Sequence, residues 1–381
     1  MRFKENMLSN RFFRATLAGL FILAVSACAS GPDAPKPADL GPNPALLGVR
    51  LAWSSKLGAV DFPLQAKVTG RSVSVASSDG NLMALDARTG AELWRTHVGA
   101  AIAAGVGSDG RFAAVVTRAN ELVVVDGGQQ PWRARLTSQV FTAPLVAGER
   151  VFVLGADRSL TAFDAQTGQK LWRNQRSGDA LVLRQAGVLI AVGNTLVVGY
   201  SGHLVGMNPL NGNVIWDVPV ATPRGVNDIE RLVDVVAGVG RYAEMVCARA
   251  FQATVACVDT QRGLVNWKKS ASGSVGLHND DQQIYGVEGD GRLIAWRRTD
   301  GELVWSSDRL RYRHLSAPLM LGRSVVVGDD AGLVHLLSRT DGSILTRLVT
   351  DGSSISVTPV VADGTLVVVT RSGGIFGFQP E

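Results

Sequence analysis

The sequence contains no long basic segment. Its formal charge of +5 comes largely from the N-terminus, where Arg2, Lys4, Arg11 and Arg14 are opposed only by Glu5. After that stretch the sequence shows no block of lysine and arginine and no basic stripe interleaved with aromatic residues. A nucleic-acid partner therefore has little electrostatic support, and we predict that the protein does not bind nucleic acid.

Near the N-terminus the sequence also lacks a hydrophobic run long enough to cross a membrane. The run ATLAGLFILAV (15–25) is about half of the ~20 residues that a transmembrane helix needs. It follows basic residues and precedes the small residues SAC, an order that is typical of a secretory signal peptide. We predict a lipoprotein signal peptide over residues 1–27 and a globular, β-rich body beyond it, since 46% of the residues are hydrophobic and 43 are glycine.

Cysteine is scarce, with three residues in 381. The first stands in Val25-Ser26-Ala27-Cys28, which resembles the bacterial lipobox and implies cleavage before Cys28 and acylation of its thiol. Ala29, rather than aspartate, follows the cysteine, and in the enteric sorting rule this favours the outer membrane. The alternative is a plain signal peptide with a chance cysteine at the cleavage site.

Residues 28–48 are predicted to form a flexible tether. Residues 29–48 contain five prolines and few large apolar groups, so they cannot bury enough surface to offset the entropy of ordering. A lipid on Cys28, a tether and a soluble body describe a protein that is anchored to a membrane and not inserted in it. We predict that the protein is held at the outer membrane and faces the periplasm.

The other two cysteines, Cys247 and Cys257, lie in two apolar runs that flank a polar turn near residue 252. A hairpin would place them opposite each other, and in an oxidising compartment they could form a cross-strand disulfide. Two buried free thiols in neighbouring strands are the alternative, and the sequence does not choose between them.

A short sequence motif, which we call the phrase, recurs through the rest of the chain. ALDARTGAELW (84–94) and AFDAQTGQKLW (162–172) are followed by the related segments 256–267 and 295–305, with looser copies at 123–132, 206–216 and 335–345. The repeat period is about forty residues, typical of propellers and solenoids. The residues at the anchor position are Trp53, Trp94, Trp132, Trp172, Trp216, Trp267, Trp305 and Leu345.

Each repeat contains four short β-type runs separated by turn residues, best seen in residues 144–174. In the phrase itself, Asp164 is expected to accept N–H bonds in the turn, Gly168 to supply a positive φ, and Trp172 to provide a large apolar side chain. Apolar runs without alternation, such as Val123 to Val125, indicate strands with both faces covered. We predict an all-β, eight-bladed β-propeller with four-stranded blades over residues 49–381.

The two ends of the chain complement each other. The last repeat stops at GGIFGF (373–378) without its own turn and tryptophan strand, while Trp53 has no repeat before it. The N-terminal strand is therefore predicted to complete the C-terminal sheet, which closes the ring and leaves no open edge between the ends.

The phrase A-x-D-x-x-T-G-x-x-x-W resembles the tryptophan-docking motif of the quinoprotein dehydrogenases. Those enzymes are eight-bladed and use pyrroloquinoline quinone, which gives an enzyme hypothesis. In that family the motif is structural, and the chemistry needs a calcium site, a catalytic aspartate and adjacent cysteines. This chain has no Cys-Cys pair, and its propeller body leaves no room for the long insertions that build the cofactor pocket. We predict neither catalysis nor a cofactor.

The lipobox, the proline-rich segment and the eight short repeats together resemble the BamB family, the propeller lipoproteins of the outer-membrane β-barrel assembly (BAM) machinery. That resemblance implies binding to the periplasmic POTRA domains of BamA and association with the rest of the BAM complex. The family's Leu-x-Leu-Arg contact matches Leu181, Leu183 and Arg184. Of its two acidic residues, Asp234 is present and Val236 replaces the second. Transient pairing of the blade edges with unfolded outer-membrane proteins is a further hypothesis.

The spacing of the repeats independently indicates a binding site in the region of these residues. The anchor separations are 41, 38, 40, 44, 51, 38 and 40, so the two long intervals are neighbours. Their excess residues fall between one repeat and the next, and insertions on one face often form the binding face. Exposed leucines with a flanking arginine suit a modest protein interface. The alternative is that these leucines pack beneath the loops.

Other motifs give little evidence of a cofactor, metal or catalytic site. The glycine pattern GVGSDG (105–110) precedes a strand and not the helix that a dinucleotide site requires. The five histidines are dispersed over different repeats, so we predict no metal site. The pairs Asp280-Asp281 and Asp329-Asp330 lack the pattern of a calcium loop, and we predict solvated turns there. The G-x-S-x-G motif of common hydrolases is absent from the sequence.

Overall fold

The computed structural model describes residues 35–177, 181–224 and 226–381. Within these ranges every regular element is a strand, and the 32 strands form eight four-stranded sheets. Each sheet is antiparallel, seven of them are meanders of four consecutive strands, and the eight sheets form the blades of one ring. The predicted eight-bladed β-propeller is therefore confirmed. Among the described residues, no helix has the length and hydrophobicity to span a membrane.

The sheets are numbered here in chain order, and the first strand, β1 (Val49–Lys56), belongs to the last of them. The strands of sheets 1 to 4 are β2 (Lys67–Thr69), β3 (Ser72–Ala76), β4 (Asn81–Asp86) and β5 (Glu92–His97); β6 (Ile102–Ser108), β7 (Phe112–Thr117), β8 (Glu121–Asp126) and β9 (Gln129–Arg135); β10 (Leu145–Ala147), β11 (Arg150–Leu154), β12 (Ser159–Asp164) and β13 (Lys170–Gln175); and β14 (Leu189–Val192), β15 (Thr195–Tyr200), β16 (His203–Met207) and β17 (Val214–Pro219).

Sheets 5 to 8 continue the same pattern. Their strands are β18 (Val235–Tyr242), β19 (Met245–Ala250), β20 (Thr254–Asp259) and β21 (Leu264–Ser270); β22 (His278–Asn279), β23 (Gln283–Val287), β24 (Leu293–Arg297) and β25 (Leu303–Ser307); β26 (Leu319–Leu321), β27 (Ser324–Gly328), β28 (Leu333–Ser338) and β29 (Ile344–Val349); and β30 (Val360–Ala362), β31 (Thr365–Val369) and β32 (Gly374–Pro380) with β1.

Burial follows position within the sheet. The middle strands are covered on both faces: all six residues of β7 are buried, as are four of the six in β8. The fourth strands, such as β5 and β13, alternate between exposed and half-buried residues, because only one face packs on a neighbouring sheet. The core is thus a set of apolar layers between successive sheets, as the uninterrupted apolar runs predict.

The ring closes through the chain termini. β1 pairs antiparallel with β32, and Trp53 lies opposite Gly377. The order of this sheet is β1-β32-β31-β30, so the N-terminal strand supplies its fourth member. The predicted closure by the N-terminal strand is confirmed.

The anchor tryptophans join each sheet to the next. Trp132 of sheet 2 donates its indole N–H to the carbonyl of Ala165 in sheet 3 (2.8 Å), and its ring lies against Gly168 of the same turn. Four more tryptophans make the equivalent bond, namely Trp53 to Ala87, Trp172 to Pro209, Trp267 to Arg298 and Trp305 to Arg339. Trp94 and Trp216 lie against Gly128 and Gly263 without such a bond in the described structure.

The acidic residue of the phrase shapes the turn that receives the tryptophan. The Asp164 carboxylate accepts hydrogen bonds from the backbone N–H and the hydroxyl of Thr167, both at 2.8 Å. These bonds, with a third from the Gln166 N–H, hold the pKa of Asp164 below its usual range. Gly168 follows with φ +73°. The phrase therefore links a turn in one sheet to the tryptophan of the sheet before it.

Replacing Gly168 with alanine is expected to destabilise the protein more than the same change at Gly364. Both glycines have nearly the same φ, +73° and +72°, so both variants carry left-handed strain of about 1–2 kcal/mol. A Cβ at Gly168 would lie 2.7 Å from the Trp132 ring, whereas nothing lies within 4 Å at Gly364. Overpacking should add about 1–3 kcal/mol at Gly168. Urea denaturation of both variants checks this, and equal losses would contradict it.

The prediction of solvated turns is wrong for two of the four aspartates. Asp280 is buried and accepts a hydrogen bond from the Tyr285 hydroxyl at 2.6 Å. Asp329 is also buried and contacts Arg313 and His335, each at 3.0 Å. Burial alone would raise the pKa of Asp329, but the hydrogen bond from His335 and the other donors hold it below its usual range.

The compact unit begins at Ala38 and not at residue 49. Residues 38–48, predicted as part of a flexible tether, make hydrogen bonds to sheet 7, and Leu40 and Leu47 pack against buried apolar clusters. The tether prediction is corrected for these residues, because main-chain acceptors and two leucines find partners about 300 residues away. Cys28 and the predicted signal peptide lie outside the described residues.

Candidate partner-binding site

Two insertions distinguish one side of the ring. Residues 176–188 connect sheet 3 to sheet 4, and residues 220–234 connect sheet 4 to sheet 5. Because the four strands of every sheet alternate in direction, all connections between sheets leave from the same face. We call it the insertion face. The expectation that both insertions share one edge of the ring agrees with this arrangement.

The two insertions are hydrogen-bonded to each other. The Asp234 carboxylate accepts a hydrogen bond from the backbone N–H of Leu183 at 2.8 Å. The Arg158 guanidinium, on the hairpin between β11 and β12, donates to the carbonyl of Leu181 (3.4 Å) and to the hydroxyl of Ser201. The structure thus places Leu181, Leu183 and Asp234 in one cluster, with Arg158 as a brace between sheets 3 and 4.

The predicted contact residues differ in their exposure. Leu181 is 41% exposed, whereas Leu183 is half-buried and lines a pocket of about 70 Å³ together with Leu154 and Tyr200. Arg184 is exposed, and its guanidinium carbon lies 5.8 Å from the centre of the Phe141 ring. The alternative in which the leucines pack beneath the loops therefore describes Leu183 but not Leu181.

The second insertion presents apolar side chains that the sequence analysis did not single out. Asn227 accepts a hydrogen bond from the Glu230 N–H, and the Glu230 carboxylate accepts one from the Val226 N–H, both at 2.9 Å. This reciprocal pair resembles a capping box and holds a tight turn. Val226 is 97% exposed and Ile229 is 75% exposed. The signal in the sequence was the spacing Asn-x-x-Glu.

An ion-pair cluster supports the start of the first insertion. The Asp217 carboxylate accepts from His203 (2.6 Å) and from the Arg176 guanidinium. Burial raises the pKa of Asp217, but the hydrogen bonds from His203 and Arg176 outweigh burial and lower it. Arg176 lies at the end of sheet 3 and Asp217 in sheet 4, so the cluster ties the base of the insertion to both sheets.

The two remaining cysteines lie in sheet 5. Cys247 on β19 is directly opposite Cys257 on β20, and the structure joins their sulfur atoms in a disulfide. Both are buried, and the disulfide crosslinks two adjacent strands of the sheet that follows the second insertion. Within the described ranges, no group of three histidine, cysteine or acidic side chains could hold a metal ion; the prediction of no metal site stays a prediction.

Comparison with known proteins decides the family. The family described as outer membrane protein assembly factor BamB matches residues 78–307, which is more than half of the chain. The chain belongs to the BamB family. A Burkholderia pseudomallei protein named outer membrane protein assembly factor BamB is 35% identical over 379 residues, covering 98% of this chain and 100% of the relative. The similarity thus extends over both insertions and the closing strands.

Solved structures share the fold. The crystal structure of BamB from Moraxella catarrhalis superposes with a TM-score of 0.79 at 23% identity, covering 87% of this chain and 99% of that chain. The quinohemoprotein alcohol dehydrogenase of Comamonas testosteroni superposes with a TM-score of 0.68 at 15% identity, covering 88% of this chain and 78% of that enzyme. At these identities each likeness shows the propeller fold alone.

Proposed function

We infer that this chain is a non-catalytic scaffold in the assembly of outer membrane proteins. BamB relatives that match almost the whole chain support this role. The observation that carries it is the pair of hydrogen-bonded insertions, which present Leu181, Val226 and Ile229 to solvent beside the exposed Arg184. Clustered apolar side chains with a flanking arginine are the composition of a protein-binding surface.

The partner that the family resemblance implies is the set of periplasmic POTRA domains of BamA, within the BAM complex. Leu181 and Arg184 would contact the partner directly, because both are exposed. Leu183 and Asp234 act mainly as positioning residues: their hydrogen bond holds the first insertion against the second. An acylated Cys28 would keep the scaffold at the outer membrane with this face in the periplasm.

Replacing Leu181, Leu183 and Arg184 together with alanine is expected to abolish co-purification with the barrel-assembly subunit. The change removes the apolar contact, its charged neighbour and part of the packing beneath them, and hot-spot truncations of this kind cost about 2 kcal/mol or more each. The measurement is quantitative mass spectrometry of proteins captured from detergent-solubilised membranes.

A matched control changes Leu264, Leu303 and Arg262, two exposed leucines and an exposed arginine on sheets 5 and 6 away from the insertions. Capture should persist in this control. Circular dichroism should show the same fold for both triple variants. Unchanged capture by the Leu181, Leu183 and Arg184 variant would refute the site.

The quinoprotein hypothesis has a separate test. Its support is the docking motif and the shared fold with the Comamonas enzyme, and neither identifies a cofactor pocket in this chain. The pure protein is incubated with Ca²⁺ and pyrroloquinoline quinone, and dye reduction is followed with alcohols and sugars as substrates. A scaffold gives no bound chromophore and no turnover, whereas a retained chromophore with turnover would overturn the proposed function.

A further inference from the structure

The segment that leads into the ring is docked on sheet 7. We call residues 38–48 the strap. It runs antiparallel to β29, the outermost strand of that sheet, and its Leu46 N–H donates to the carbonyl of Leu345 at 2.8 Å. Leu345 is the anchor position at which the other repeats carry tryptophan. The strap therefore covers the one sheet whose fourth strand lacks the indole.

Asn43 replaces a strand partner. Its side-chain amide donates to the Arg347 carbonyl and its side-chain oxygen accepts from the Arg347 N–H, both at 3.0 Å. These are the two bonds that a neighbouring strand would make to Arg347. One polar side chain thus satisfies both backbone groups of an edge residue.

Two arginines hold the strap from the side of the ring. Arg347 donates to the carbonyls of Leu40 (3.0 Å) and Gly41 (3.3 Å). Arg313 donates through Nε and Nη2 to the carbonyl of Ala38, at 3.1 and 2.9 Å. Arg313 is itself fixed by the buried Asp329. The strap is thus held at its beginning and its middle by side chains of sheet 7 and of the connection before it.

The strap begins on the insertion face. The Ala38 N–H donates to the Arg311 carbonyl at 2.9 Å, and Arg311 lies in residues 308–318, which connect sheet 6 to sheet 7. Connections of this class all leave from the insertion face. At its other end the strap reaches Gly48, whose carbonyl accepts from the Glu381 N–H. The chain therefore enters the ring from the insertion face, about three sheets away from the insertions.

We propose that the strap fixes the point at which the anchored segment leaves the ring, and so turns the insertion face toward the membrane surface. This proposal rests on the proposed acylation of Cys28. Ala38 comes ten positions after Cys28, a length that spans at most about 35 Å when fully extended. With the strap released, the twenty residues from Cys28 to Gly48 would span about 70 Å and would leave the orientation free.

Hydrogen exchange tests the docking without reference to the lipid. In the full mature protein in detergent micelles, replacing Asn43 with alanine should speed exchange of the Leu46 and Arg347 amides about tenfold or more. Replacing the exposed Asn266 with alanine is the control and should leave both amides unchanged. Fast exchange at Leu46 in the unaltered protein would show that the strap is not docked, and would overturn the proposal.

Fluorescence quenching tests the orientation. The full mature protein, purified from membranes, is added to vesicles of phosphatidylethanolamine and phosphatidylglycerol that carry a nitroxide headgroup. A dye at Arg118, on an insertion-face hairpin, should be quenched at least about twofold more than a dye at Gln261, on the opposite face. With Asn43, Arg313 and Arg347 all changed to alanine, the side-chain bonds to the strap are lost along its length. The difference should then shrink toward zero, since release of the strap doubles the free length.

The outcomes separate the two proposals. Equal quenching at Arg118 and Gln261 in bound, unaltered protein, or stronger quenching at Gln261, would overturn the orientation and leave the anchor intact. Failure of the unaltered protein to bind vesicles would contradict the proposed acylation of Cys28, and with it the orientation. Co-purification of the barrel-assembly subunit is a separate measurement and tests neither the acylation nor the orientation.

Discussion

Replacing Glu288 with alanine is expected to lower the free energy of unfolding by about 3–5 kcal/mol. Glu288 follows β23 in sheet 6 and bonds to Arg249 of sheet 5 at 3.0 Å, and the Arg249 side chain is fully buried. Burial lowers the pKa of Arg249, which shows the cost of removing the guanidinium from water, and Glu288 opposes that effect. Without the carboxylate, a buried cation and the Ser272 N–H and hydroxyl lose their acceptor.

A matched control joins the same two sheets on the surface. Lys269 and Glu302 form a 2.6 Å ion pair whose side chains are 37% and 60% exposed. Replacing Glu302 with alanine should cost about 0–1 kcal/mol, because water already solvates both charges. Urea denaturation followed by tryptophan fluorescence measures both variants. If the Glu288 variant is as stable as the Glu302 variant, the buried pair does not hold these sheets together.

Replacing Trp53 with alanine should open the ring at its closing sheet, at a cost of about 3–5 kcal/mol. Trp53 lies on β1, which pairs with β32 and has no covalent connection to the rest of its sheet, and its indole N–H bonds to Ala87 of sheet 1 at 2.8 Å. The indole ring of Trp53 also packs on Gly90. One side chain therefore ties the closing strand to the next sheet.

Trp132 is the matched control for that variant. It makes the same bond, to Ala165 at 2.8 Å, and the same contact with a glycine, Gly168. Its strand, however, continues covalently from the rest of sheet 2. Both alanine variants should lose stability, but only the Trp53 variant should show fast hydrogen exchange over residues 49–56. Equal protection of β1 in the two variants would contradict closure by this strand.

The propeller could be predicted from the sequence because its decisive contacts recur. The phrase at 162–172 specifies a turn through Asp164 and Gly168 and a docking side chain through Trp172, and each copy repeats this set. Repetition makes a local pattern informative about long-range structure, since each sheet packs only on its neighbours. The pairing of the N-terminal strand with the last sheet could be predicted in the same way, because the last repeat lacks its own tryptophan strand.

The site was predictable in part. The spacing of the anchors identified both insertions, and the structure places Leu181, Leu183 and Asp234 together. The sequence could not show that Leu181 is exposed while Leu183 is half-buried, because the exposure of each side chain depends on what lies beneath its loop. Arg158 was missed for the same reason: it reaches Leu181 and Ser201 from a hairpin that carries no distinguishing pattern.

The strap shows where composition fails. A proline-rich segment with few large apolar groups reads as disordered, yet residues 38–48 are held by acceptors that every residue carries, the backbone carbonyls. Their donors, Arg313 and Arg347, lie about 300 residues away. A local sequence window contains only one side of such a contact, so only the folded arrangement reveals it.

Hydrogen exchange of the protein alone and in complex with the purified POTRA domains tests most directly whether the insertions are the partner-binding site. Binding is expected to slow exchange in residues 181–184 and 226–234, while the turns on the opposite face, such as 165–169 and 260–263, stay unchanged. Protection confined to the opposite face or to the outer strands, with the insertions exchanging as in the free protein, would contradict the assignment.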